Sequence, residues 1–144
     1  MPSHMLKTAA VALASTSAVL LSGTPSSAAD VQWNVAHGTA TAQGTRTIQK
    51  GPLNSTLVVR GELTNTGNDC YSVWFQFTHD FVPGPTIKQA TQCGPGSAPI
   101  DFRTTTRPTT TGSVFICKGE TREDCGDRRS ITSWPVQKPT PRNS

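Results

Sequence analysis

His79-Asp80 closes an alternating apolar stretch and is the sharpest acid–base pair in this 144-residue chain. An imidazole beside a carboxylate serves a nucleophilic hydrolase when a serine and an oxyanion hole stand close by. Serines are plentiful, but none occupies a Gly-x-Ser-x-Gly elbow. His79-Asp80 therefore reads as a strand end whose side chains satisfy turn hydrogen bonds. The chain reads as no enzyme, with an extracellular enzyme using His79 and Asp80 the least favoured alternative.

Metal and phosphate chemistry fare no better. The only other histidines are His37, far from His79 in sequence, and His4 near the start. The four cysteines, Cys70, Cys93, Cys117 and Cys125, form no Cys-x-x-Cys pair. Gly94-Pro95-Gly96 lacks the Lys-Ser/Thr of a phosphate loop. No metal and no cofactor are expected.

Two features point to binding. Trp74 falls on the strand face opposite Tyr71, Val73, Phe75 and Phe77, beside Ser72 and Gln76. A tryptophan there stacks on a sugar or anchors a protein partner, unless a loop or the Pro85 region covers it. The second feature is the segment from Lys118 to Asp124. If Cys117 and Cys125 are bridged, it becomes a charged, rigid loop, with Arg122 as a long cationic fork. Exported protease inhibitors present a reactive segment in this way. The candidate binding residues are thus Trp74, Lys118 and Arg122.

The compartment follows from the first residues. Lys7 precedes an apolar run over 8–21 and a small-residue stretch ending at Ala29, the layout of a secretory signal peptide over 1–29. The run is too short to span a bilayer, and no later stretch approaches ~20 apolar residues. A secreted, extracellular protein is expected, with no membrane contact after cleavage. Its four cysteines then read as two disulfides, Cys70–Cys93 and Cys117–Cys125, the pairing that needs no crossing between distant strands.

Removal of 1–29 leaves 115 residues, enough for one domain over 30–134 before a Pro-rich tail over 135–144 expected to be disordered. Lys7 is the leader's only charged residue, so the net charge of +4 for the whole chain becomes +3. The cations are scattered rather than clustered with aromatics, which argues against nucleic acid. Alanine in the leader, and Arg, Thr, Gly and Pro in the remainder, suggest a high-GC bacterial origin.

The pattern of the domain is strand throughout. Val31, Trp33 and Val35 alternate with polar residues; Thr39 to Ile48 reads as an edge strand bent at Gly44. Thr56 to Thr64 and Cys70 to Thr78 form a hairpin around the turn cluster at 65–69. Pro83-Gly84-Pro85 reads as a break before a strand over 86–92. Residues 94–99 read as a loop, 100–103 as a short strand and 104–112 as a linker. Strands over 113–118 and 129–134 close the series. The expected core is Trp33, Leu57, Val59, Leu63, Tyr71, Val73, Phe75, Phe77, Val114 and Ile116.

About seven short strands punctuated by turns predict an all-β, disulfide-stapled antiparallel β-sandwich, immunoglobulin-like, with a small Greek-key β-barrel as the alternative. The run from Leu57 to Gly67 resembles many bacterial sandwich domains, at the level of fold alone. The function expected is a secreted, non-enzymatic protein binding an extracellular protein or cell-wall component. The alternative is an inhibitor of a secreted hydrolase acting through the Cys117–Cys125 loop.

Overall fold

The computed structural model describes residues 30–132. The leader expected over 1–29, residues 133–134 of the last expected strand and the expected tail lie outside the described residues. The described chain is all-β: β1 (Val31–His37), β2 (Ala40–Lys50), β3 (Ser55–Asn65), β4 (Cys70–His79), β5 (Val82–Cys93), β6 (Gly96–Thr106), β7 (Thr111–Lys118), β8 (Asp124–Cys125) and β9 (Arg129–Ser130). One sheet has the order β1-β2-β3-β6. The other runs β5-β4-β7-β8, with β9 also on β7.

Every pairing is antiparallel, and no ladder joins the two sheets among the described residues. The architecture is therefore a sandwich rather than a closed barrel. Side chains alternate between faces along each strand, so one face of each sheet supplies the apolar interior. All ten expected core residues are buried, and Val35, Ala40, Ala42, Ile100 and Ile131 join them. Phe75 sits at the centre, edge-on to Trp33, Phe77 and Phe102. Trp33 has Gly44 as its register partner, and Gly44 has Gly61. A Cβ at Gly61 would lie 2.8 Å from Trp33 Cζ2, so the missing side chain makes room for the indole.

Four expectations are corrected. β3 and β4 form no hairpin: they lie in different sheets, and the turn cluster at 65–69 carries the chain from one sheet to the other. β2 is an interior strand between β1 and β3, in unbroken register through Gly44, because β1 takes the edge. β5 does not break at Pro83-Gly84-Pro85. It lies at a sheet edge, where a proline without an N–H costs less ladder pairing. Register shifts against β4 at Val73/Trp74 and Gln76/Thr78 absorb its extra residues. β6 extends over most of the expected loop and into the first three residues of the expected linker, because β3 offers it eleven consecutive partners.

Cys70 bonds Cys93, and Cys117 bonds Cys125. In each pair the alpha carbons are 3.9 Å apart, closer than the ~4.4–6.8 Å usual for a bridge. Both bridges join direct register partners on adjacent antiparallel strands, whose backbones already run side by side. Two disulfides in a small β protein suit an oxidising, extracellular setting.

The β1–β2, β3–β4 and β5–β6 connections gather at one end around buried Asn65. Its Nδ2 donates to the carbonyls of Gly67, Asp69 and Gly94, and its Oδ1 accepts from Thr39 Oγ1 and Gly67 N–H. This end is knitted shut.

Candidate functional site: a covered aromatic face and a bare loop end

Trp74 and Phe115 are register partners on the outer face of the second sheet. The Trp74 Nε1 donates to Ser72 Oγ at 2.8 Å, and Ser72 Oγ donates to the Gly119 carbonyl at 2.7 Å. That pair of bonds ties the indole to the start of the 118–124 loop. The Cys117–Cys125 bridge closes the loop at its base. The loop lies back across the sheet: Arg122 donates to Thr86 on β5 at 3.0 Å, and Lys88 pairs with Glu120 at 3.6 Å.

Three cations cover the two rings. Lys88 stands 5.7 Å and Arg122 5.8 Å from the Trp74 ring centre, and Arg128 only 4.3 Å from that of Phe115. Arg128 is held there by a hydrogen bond to Gln76 Oε1. Each cation gains from the negative face of a ring while keeping its head in water. Phe115 is buried and Trp74 half-buried beneath them.

The three candidate binding residues are thus divided. Trp74 and Arg122 are brought together, but Arg122 stacks on the indole instead of reaching outward. Lys118 turns to the Asn65 end, where its Nζ meets Asp69 Oδ2 at 2.9 Å. That hydrogen-bonded carboxylate raises the Lys118 pKa above its ordinary value. An inhibitor using Arg122 as its specificity residue would have to lift it from both Trp74 and Thr86.

His79 and Asp80 form no dyad in this structure. His79 Nδ1 faces Thr110 Oγ1 at 3.2 Å, and the ring stacks beside Phe77. Asp80 accepts from Thr109 Oγ1 at 2.6 Å and pairs with Arg107 at 3.7 Å. The depression of about 400 Å³ beside His79 is lined otherwise by Thr104, Thr105 and Arg107, so among the described residues neither serine nor carboxylate lines it with the imidazole. Among the described residues, no three His, Cys, Asp or Glu side chains gather as a metal ion requires.

The loop end carries a feature that the sequence reading missed. The β2–β3 connection (51–54), the β4–β5 turn (80–81) and the β6–β7 connection (107–110) share the end opposite Asn65. Ser55 pairs with Thr106 there, and Thr78 with Thr111. Leu53 and Phe81 are each 91% exposed and Val82 is 68% exposed, the three barest large apolar side chains described.

The turn holding Phe81 is a tight two-residue turn. His79 pairs with Val82, and both residues between them have positive φ, 49° at Asp80 and 68° at Phe81. Such a two-residue turn matches the twist of its strands and favours Asn-Gly or Asp-Gly. Asp80 suits it, whereas Phe81 holds a backbone conformation in which a bulky residue is a strained outlier. The bonds from Thr109 and Arg107 to Asp80 brace the turn against the neighbouring connection. The available signal was the apolar pair Phe81-Val82 in an otherwise polar turn. Comparison with protein-family models, curated proteins and solved structures finds no match for this chain.

Proposed function

We propose that the protein is a secreted, non-enzymatic binding module that engages a cell-surface component through its loop end. The observation that carries this reading is Phe81, bare to solvent on a left-handed backbone. Exposure of a large apolar group and strain in its backbone both oppose stability, and neither improves packing of the fold. Where two such costs meet in one residue, selection for contact outside the molecule accounts for both. Leu53 and Val82 extend the apolar surface on the same end.

The mechanism is preorganisation. A two-residue turn, braced by Thr109 and Arg107, presents the phenyl ring in place, so little conformational freedom is lost on contact. An aromatic side chain adds much contact area for few rotatable bonds. The test is binding of the chain from Asp30 onward to isolated envelopes of the producing cells. Phe81→Ser should lose binding and Arg122→Ala should retain it. The reverse pattern would move the contact surface to the Trp74 face.

A further inference from the structure

Taking that reading as its basis, we infer that the loop end seats on an anionic lipid surface, with Leu53, Phe81 and Val82 entering the apolar boundary and Lys50 and Arg107 facing the headgroups. The argument begins with shape. Leu53 and Phe81 stand on two separate connections and are almost wholly exposed, with Val82 more than half exposed at the start of β5, so they form projecting tips rather than walls of a groove. A soft apolar phase accepts several separate projections without a matched cavity for each one.

Charge supplies the second argument. Lys50 ends β2 three residues before Leu53, and Arg107 begins the connection that braces the Phe81 turn. Both are exposed cations on the same end as the apolar tips. Apolar residues at the tips with cations behind them give the arrangement of an interfacial contact, in which apolar burial and attraction to anionic headgroups act together. Asp80, the acid at the turn, accepts from Thr109 and pairs with Arg107, offsetting one of the two cations, so Lys50 supplies the remaining positive charge of the set. The expectation of no membrane contact rested on the lack of a spanning stretch. A surface contact requires none.

Co-sedimentation of the chain from Asp30 onward with vesicles of equal phosphatidylglycerol and phosphatidylcholine tests this directly. Leaving out 1–29 removes the apolar leader while keeping every described strand. The expected result is binding that weakens with salt and falls roughly tenfold or more in Phe81→Ser and in Leu53→Ser, the loss of one buried large apolar side chain each. Lys118→Gln, at the opposite end, should bind as the wild type does. Thermal melting of each variant separates loss of contact from loss of fold.

Failure to bind these vesicles, or undiminished binding by both serine variants, overturns the inference. So does concentration-dependent self-association abolished by Phe81→Ser, which would make a second copy the occupant. If envelopes are bound through Phe81 but the vesicles are not, the lipid assignment falls and the binding-module reading stands. If neither is bound, both fall.

Discussion

Trp74 and Phe81 belong to one hairpin, yet the chain treats the two rings oppositely. Trp74 gains a hydrogen bond from its indole to Ser72, two overlying cations and a disulfide-closed loop laid back across the sheet. Phe81 gains none of these, and its backbone is strained as well. The fold evidently has the means to cover an exposed ring, since Arg128 does so for Phe115 with a single side chain. Covering marks structure, and the bare, strained ring is the one on which the proposed contact rests.

The largest expected effect tests the core on which both regions rest. Phe75→Ala should cost about 3–5 kcal/mol, the range for truncating a buried aromatic, and should appear in thermal or urea unfolding. A smaller cost would mean that the sheets hold their relative positions without that ring. Replacing Cys117 and Cys125 by serine should cost roughly 2–3 kcal/mol through the short closed loop. It should also free the loop, seen as a change in tryptophan fluorescence as Arg122 leaves Trp74. An unchanged spectrum would show that the cations cover Trp74 without help from the bridge.

Trp74→Ala should follow at about 1–3 kcal/mol, from the lost hydrogen bond, ring contacts and partial burial. A larger share of binding than of stability lost in this variant would erase the contrast between the two rings. The smallest effect belongs to Lys118. Its folded-state pKa is raised, so its pairing with Asp69 contributes fully below the ordinary value of 10.5 and is lost as pH rises through the higher folded value. Melting of wild type and Lys118→Gln should therefore differ at neutral pH and converge in strong alkali.

The interior was legible because period two is a strong signal: alternation along Leu57 to Leu63 and Tyr71 to Phe77 marked the inward face at once. The partners of those strands were harder to see. β6 begins with Gly96-Ser97-Ala98-Pro99 and ends in three threonines, so only its middle reads as strand, and it reaches full length because β3 offers a full-length edge. β5 tolerates two prolines only because it lies at the edge, which no local signal reveals. Asn65 sat in a visible turn cluster, but its role joining three turns depends on chain segments distant in sequence.

The candidate site divided in the same way. Trp74 and the Cys117–Cys125 loop were legible separately, and their contact was not, because Arg122 is 48 positions from Trp74. Phe81 and Leu53 carry no periodic signal of their own, since exposure and left-handed backbone appear only in three dimensions.

Phe81→Gly tests the central claim most directly, with melting temperature and envelope binding measured on the same sample. Glycine adopts the turn's positive φ without strain and completes an Asp-Gly pair, so stability should rise by about 0.5–1 kcal/mol even after its greater unfolded-state entropy. Binding should be lost. A variant that melts higher and binds nothing would show that Phe81 is retained for contact at the expense of stability. A variant that melts higher and binds as the wild type does would contradict the account.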